Sequence, residues 1–520
     1  MLGMDLHTCS LNLFKILPYR YYREVPEGYT TLTEGMATIL QKGNEAFYNP
    51  AQVVNRDLSI AAINYFNEMR KNESMKLSRL QRSKGTPANR RKGLRILEGL
   101  AATGLRSIRY AKEIDGVDKI VANDLDPEVV KAMKLNIEFN GQEVMDKVET
   151  SVGDARIVMM QHNNEFDVVD LDPYGAPVTL IDSSIESVSE GGLLFCTATD
   201  MAVLCGNNGE ACYAKYGSYP LHRPYCHEQA VRILLATIST AAARYKRYIV
   251  PVLSLSIDFY IRVFVRVYTS PAVVKNTGLK HSYLFQSQGC DSFELMKVGR
   301  LQEKGNSKKY GPGFAPPVPQ KCPETGASYT MGGPIWSDPI HDPEWIKGII
   351  DHMKQRKDRY KAFDKIHGLL MNCLEELPDV PLYLDLHSVC KTVKASIPRH
   401  DVFKSALINA GYRASPTHCI PTGIKTDAPW DVIWDVVRCW VKDHPVKLPE
   451  GSNGHAILSK EPKIDANFSR VSSAMIKNKK GVGKVARFVT NGPNWGPKTR
   501  HGREPKQPTK KQKIEQEKET

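Results

Sequence analysis

The sequence predicts an α/β protein: a doubly wound, mostly parallel sheet followed by a smaller, mostly helical C-terminal domain. Between residues 94 and 270, short apolar runs alternate with helical patterns, as in parallel strands joined by crossover helices. Four runs end in an acid, at Glu98, Asp124, Asp154 and Asp172, and open sheets of this kind bind ligands at the carboxyl ends of their strands. Residues 346 to 440 look helical in pieces and lack that alternation.

Each element follows from local pattern. Residues 1–30 read as a lead-in, disordered or targeting. Lys15, Arg20 and Arg23 stand there against Asp5, Glu24 and Glu27, more acid than a mitochondrial presequence carries. Residues 31–270 form the first domain. After a turn at Asn55-Arg56-Asp57, apolar residues recur at helical spacing (Leu58, Ala61, Ala62, Tyr65), predicting a helix. A basic insertion at about 70–95 interrupts. LRILEGLA is a strand ending at Glu98-Gly99, and ATGLRSIRYAKEI a helix with Thr103 as N-cap. KIVANDLD is the second strand. PEVVKAMKLNIEFN is a helix with Pro127 in its first turn. KVETSVGDA and FDVVDLDPYG are the third and fourth strands. VTLIDSSIESVS is helical, GGLLFCTATD is a fifth strand, and a long helix covers roughly 225–247. LSLSIDFYIRVFVRVY closes the domain with alternation: Val263, Val265 and Val267 face one way, Arg262, Phe264 and Arg266 the other. Residues 271–345 are a Gly/Pro-rich connecting region, 346–450 a C-terminal domain with a loop or short hairpin at GYRASPTHCIPTGIKT, and 451–520 a basic, disordered tail.

Composition narrows the classes. At 520 residues and 41% hydrophobic, the chain has more than one domain. No apolar run reaches the roughly 18 residues of a membrane span. The 11 cysteines are odd in number and include no CxxC pair, which fits a reduced intracellular compartment better than a disulfide framework. The net charge of +14 is concentrated. Residues 70–95 and 471–520 carry +9 each, leaving the rest at −4. Either stretch could follow a phosphate backbone or simply be solvated, and KQPTKKQK in the tail reads as a nuclear import signal.

The fourth strand carries the chemistry. Val168 and Val169 sit in a buried run that stops at Asp172-Pro173-Tyr174-Gly175, because proline cannot continue a ladder. A carboxylate, a rigid proline and an aromatic ring at a strand end suit a planar heterocycle bearing an exocyclic amine. The first turn, EGLAATG, is not GxGxxG, so it fits an uncharged thioether nucleoside better than a pyrophosphate. S-adenosylmethionine carries a carboxylate, a sulfonium and an adenosine, but no phosphate. Arg56 or Arg106 could pair with its carboxylate, Asp124 with its ribose, and Asp154 with Ala155 could meet the adenine amine. Taken singly, each has a plainer reading as a cap, turn former or core residue.

EAFYNPAQVVNRDLSI, LEGLAATGLRSIRYA, VANDLD, VGDA, VDLDPYGAP, TATDMAVLCG and PTGIKTDAP together resemble the tRNA guanine-26 N2-dimethyltransferases, from about Thr31 to Trp440. The resemblance implies a class I methyltransferase domain with a Rossmann-like sheet, binding S-adenosylmethionine, and a C-terminal domain that helps hold tRNA. It implies that Arg56, Arg106, Asp124, Asp154 and Ala155 contact the cofactor. It also implies that Asp172, Pro173 and Tyr174 are catalytic and that Phe47 sandwiches the target base. The implied reaction is methyl transfer to N2 of guanine 26, giving N2,N2-dimethylguanosine. Some members carry two paired-cysteine motifs after the catalytic core. Here Ser287 and Thr325 stand where partners of Cys290 and Cys322 would be wanted. Four-coordinate zinc needs four good ligands, so no metal is expected.

Three other readings compete: a dehydrogenase, disfavoured by the missing GxGxxG; a non-catalytic RNA-binding protein; and an amino-methyltransferase acting on DNA or another RNA. No obligate protein partner is evident. The expected location is intracellular, in the nucleus, with the mitochondrion as a second compartment.

Overall fold

The computed structural model describes residues 24–42, 48–82, 93–305, 307–475 and 485–489. The first described element is a hairpin, β1 (Tyr29–Glu34) and β2 (Ala37–Lys42), paired across a two-residue turn. Nothing in the polar sequence of this stretch predicts it. Helix α1 spans Val53–Arg82, so Asn55-Arg56-Asp57 lies inside its first turns and is not a turn ahead of it. The basic insertion does not break this helix before Arg82 either. Its residues 83–92 lie outside the described ones.

The central sheet follows: β3 (Leu94–Glu98), α2 (Leu105–Glu113), β4 (Val117–Asp124), α3 (Pro127–Phe139), α4 (Gln142–Lys147), β5 (Val148–Val152), α5 (Ala155–Gln161), β6 (Phe166–Leu171), α6 (Val178–Ser187) and β7 (Val188–Ala198). Two short helices, α7 (Met201–Leu204) and α8 (Gly209–Tyr216), precede the long α9 (Cys226–Arg244) and the hairpin β8 (Arg247–Ile257), β9 (Tyr260–Thr269). The strand order is β5-β4-β3-β6-β7-β9-β8. β3 to β7 run parallel; β9 is antiparallel to both β7 and β8. The chain order reverses between β3 and β6, and the crevice there is the expected ligand position.

Local chemistry accounts for the helix starts. Asp126 caps α3 by accepting the Glu128 N–H at 2.9 Å, with Pro127 in the first turn. The start of α2 differs from expectation. Its N-cap is Gly104 at φ 75°, not Thr103. A β-carbon on Gly104 would lie 2.6 Å from Met133 of α3, so glycine permits both the left-handed turn and the close approach.

Helices cover both sheet faces. One apolar core joins α1, α2 and α3 to the sheet and the other joins α5, α6 and α9, which explains why β6 is buried along its whole length. Both sides of β9 are therefore interior. Arg262 is fully buried, and its charge is met by Asp170 of β6 at 2.8 and 2.9 Å.

The remaining chain is less purely helical than expected. After α10 (Pro271–Val274), β10 (His281–Ser287), β11 (Phe293–Lys297) and β14 (Tyr329–Trp336) form a three-stranded sheet, with the hairpin β12 (Gly299–Lys304), β13 (Ser307–Pro312) between them in sequence. Helices α11 (Pro343–Gln355) and α12 (Phe363–Glu375) pack on α1, where Trp345 meets Phe66 and Tyr65. The rest comprises β15 (Leu384–Asp385), α13 (Leu386–Thr392), α14 (His400–Asn409), β16 (Ala414–Pro416), β17 (Gly423–Thr426), α15 (Trp430–Asp443) and α16 (Asn453–Leu458), around a third core. The GYRASPTHCIPTGIKT segment is the β16–β17 hairpin. Among the described residues, no helix is long and apolar enough to cross a membrane.

Candidate active site

A cavity of about 270 Å³ opens at the carboxyl ends of β3, β4 and β6. Its lining includes Tyr48, Arg56, Glu98, Arg106, Asp124, Asp172, Pro173, Tyr174 and Thr199. The fold thus brings together the predicted positions Arg56, Arg106, Asp124, Asp172, Pro173 and Tyr174, from α1, α2, β4 and the β6 turn.

The β6 turn is pinned. Gly175 donates its N–H to Thr199 Oγ1 at 2.7 Å, and the Thr199 N–H donates back to the Gly175 carbonyl at 3.0 Å. Pro173 is buried while Tyr174 is 79% exposed, so the ring stands at the cavity mouth. Asp172 is held on one oxygen only. Its Oδ2 accepts from Asn55 Nδ2 at 3.2 Å and from Arg106 Nη2. Its Oδ1 has no hydrogen-bond partner among the described residues.

Asp124 ends β4 and accepts the Ala102 N–H at 2.9 Å on one oxygen and the Asp126 N–H at 3.2 Å on the other. Ala102 holds φ 45°, a conformation that L side chains adopt sparingly, and this strain turns its N–H toward the carboxylate.

Arg56 and Arg106 are both buried and both already paired. Arg56 binds Glu34 through Nε and Nη2 at 2.6 and 2.5 Å. Arg106 reaches Asp172, Asp170 (3.2 Å), Glu98 (3.4 Å) and Asn55 (3.0 Å). Burial would raise the Glu34 carboxyl. The bonds and charge of Arg56, with Arg109, outweigh it and bring Glu34 down to about 2. Glu98 goes the other way: burial pushes it up to about 8 against the pull of Arg106 and Ser107.

The family model described as N2,N2-dimethylguanosine tRNA methyltransferase matches residues 28–438. The chain belongs to that family. The tRNA (guanine(26)-N(2))-dimethyltransferase 1 of Arabidopsis thaliana is 51% identical over 526 residues, covering 91% of this chain and 88% of the relative. The human tRNA (guanine(26)-N(2))-dimethyltransferase is 39% identical over 522 residues, covering 92% and 78%. A solved structure of Trm1 from Pyrococcus horikoshii with S-adenosyl-L-methionine superposes with a TM-score of 0.62 at 28% identity, covering 78% of this chain and 99% of that one. The α/β, Rossmann-like class expected from the sequence agrees with this likeness.

Not every position that the family resemblance implies lines the cavity. Asp154 caps α5, accepting from the Arg156 N–H at 2.9 Å and from its guanidinium. Ala155 is buried beside it. Neither lines the cavity, though Gly153 donates its N–H to the Asp124 carbonyl at 3.0 Å. Phe47 lies outside the described residues. Conversely, the structure adds Tyr48, Asn55, Glu34 and Thr199, which sequence reasoning does not single out. Tyr48 hydrogen-bonds Glu34 at 3.0 Å and lies against the Arg56 guanidinium. The one sequence signal for Tyr48 and Asn55 is adjacency to Phe47 and Arg56.

Among the described residues, three groups of candidate metal ligands lie elsewhere. Cys290 and Cys322 bring their sulfurs within 3.8 Å, but the other neighbours of Cys290 are the Ser287 and Ser292 hydroxyls at 3.5 and 3.2 Å, short of four good zinc ligands. His341, Cys373, Glu376 and His418 also cluster. There, His341 Nδ1 and His418 Nε2 accept the Ser254 and Ser256 N–H groups of β8 at 3.4 and 3.1 Å. Their other ring nitrogens therefore carry the hydrogens and face Glu376. With the Lys425 ammonium 3.1 Å from the same carboxylate, this group fits shared protons rather than a cation. Cys205, Cys226 and His227 supply three donors, one short of a closed tetrahedral site.

Proposed function

We propose that this protein transfers methyl groups from S-adenosylmethionine to the exocyclic N2 of guanine 26 in tRNA, giving N2,N2-dimethylguanosine. The observation that carries the reading is the Asp172-Pro173-Tyr174 turn, with one carboxylate oxygen anchored and the other open, lining one cavity with Asp124 and Arg56. The family match from 28 to 438 supports the same substrate.

The donor set suits the cofactor. Arg56 lines the cavity, and its charge suits the cofactor carboxylate. Asp124 offers its oxygens at the second strand end, where a ribose contact is expected. Asp154 would meet the adenine amine after releasing Arg156, an exposed pairing of little stability. S-adenosylmethionine, when bound, supplies a methyl group on a sulfonium, an electrophile needing no metal.

The residues of the chain then act on the nucleobase. The N2 lone pair is delocalised into guanine, so it is a weak nucleophile. Asp172 Oδ1 accepts an N–H from the amine, orients it, and takes up the proton released once nitrogen has bonded to carbon. Tyr174 at the cavity mouth stacks on the extruded base and offsets stacking lost in the tRNA. Phe47 is the second plate of that sandwich. Residues 346–450 and the basic segments are proposed to hold the tRNA body, and residues 31–270 to carry the chemistry.

The test is incubation of the purified chain with labelled S-adenosylmethionine and unmodified tRNA, followed by nucleoside mass spectrometry. N2-methylated guanosine that disappears when guanine 26 is replaced supports the proposal. Methylation of another atom or position, or none, overturns it.

A further inference from the structure

We propose that Asn55 is a positioning residue for Asp172, acting together with Arg106 so that only one carboxylate oxygen is presented to the substrate amine. This rests on the methyl-transfer reading above. Asn55 is fully buried in the first turns of α1. Its amide is used at both ends. Oδ1 accepts from Arg106 Nη1 at 3.0 Å. Nδ2 donates to Asp172 Oδ2 at 3.2 Å and to Gln52 Oε1 at 2.7 Å. An amide suits this position because one atom must accept from a guanidinium while the other donates to a carboxylate.

The arrangement divides labour within Asp172. Oδ2 is held by two donors, Asn55 and Arg106, so the carboxylate cannot rotate freely about its last torsion. Oδ1 is then left for the substrate. A free-swinging carboxylate would spread its acceptor direction, and placement of the reacting nitrogen accounts for a large share of such rates. Arg106 cannot do this alone, because it is also drawn to Asp170 and Glu98. The Asn55 amide, bonding both partners, biases the guanidinium toward Asp172. It follows that Arg106 serves the catalytic carboxylate in this arrangement.

Two substitutions test this. In Asn55→Ala the anchor is lost. Turnover on tRNA should fall at least 10-fold, with the Kd for S-adenosylmethionine and the KM for tRNA within threefold of wild type. Asn55→Asp is nearly isosteric and adds a signature that a structural role would not produce. Two carboxyl groups would then face each other and share one proton. In the proton-sharing form the introduced carboxylic acid donates to Asp172, which restores the anchor at low pH and is lost as pH rises. The kcat profile of Asn55→Asp should therefore shift toward acid, relative to wild type. The other charged or titratable groups near this pair are Arg106 and Tyr110 of α2, Glu98 of β3, Asp170 of β6, Cys196 of β7, and Tyr260 and Arg262 of β9, and all are present in both proteins. Turnover of Asn55→Ala within twofold of wild type, or an unshifted profile for Asn55→Asp, overturns the inference. If Asn55→Ala fails to fold, the Asn55→Asp profile alone decides. Failure of the wild type to methylate guanosine would defeat the parent reading instead.

Discussion

Arg56 grips Glu34 through two hydrogen bonds, at 2.6 and 2.5 Å, while its side chain also lines the cavity. The pair joins the first hairpin to α1. Arg109 binds the same Glu34 at 2.7 Å and also Asp57 and Glu113. A cation facing the cavity is thereby fixed by a carboxylate behind it.

Acid should undo this joint. The Glu34 carboxyl lies at about 2 in the folded protein against 4.5 ordinarily. A depressed carboxyl adds stability above its unfolded pKa and loses it as pH falls through the folded one. Stability on the order of 3 kcal/mol should therefore disappear between about pH 4.5 and 2. Urea midpoints across that range check it, and Glu34→Gln should flatten this part of the curve.

Removing Asp172 should separate catalysis from binding. Asp172→Ala is expected to lower methylation by about 100-fold or more, while tRNA affinity in a filter or gel-shift assay stays within threefold. Activity within a few-fold of wild type would remove Asp172 from the chemistry.

Tyr174 is exposed, and its proposed task is stacking rather than hydrogen bonding. Tyr174→Ala should lose stacking of about 1–3 kcal/mol, read as a fall in kcat/KM for tRNA with cofactor affinity unchanged. Tyr174→Phe should retain nearly full activity.

Arg262 is buried with Asp170 below the cavity floor, where Tyr110 also donates to Asp170 at 2.6 Å. Arg262→Met leaves that carboxylate without its main counter-charge. A loss of about 3–5 kcal/mol in unfolding free energy is expected, measurable by denaturant titration.

Cys290 and Cys322 should be irrelevant to metal content. Zinc measured by plasma mass spectrometry is expected to be the same for wild type and Cys322→Ser, since two thiols and neighbouring hydroxyls make a poor zinc site.

The parallel sheet is legible in the sequence because buried strands and crossover helices leave distinct periods in the chain. FDVVDLDPYG shows a strand and its stop by composition alone. The first hairpin escapes such reading because its strands are rich in threonine and charge and only partly buried. Helix α1 outruns the length its apolar positions suggest, because the lysines and arginines that follow them are good helix formers. Arg106 reads from the sequence as a partner of the cofactor carboxylate. Its bond to Asp172 spans 66 positions of sequence, and no spacing rule reports such a contact. Asn55 is hidden for the same reason: an amide beside a conspicuous arginine carries no periodic signal.

The imidazoles of His341 and His418 and the Asp342 amide meet the outermost strand of the main sheet, β8, along its otherwise open side. Cut away the polypeptide that brings them, and a row of amide groups would lie bare, a template onto which a second molecule could add its own strand. The main sheet is thus not finished by its own strands: residues far along the chain complete the hydrogen bonding of its β8 edge.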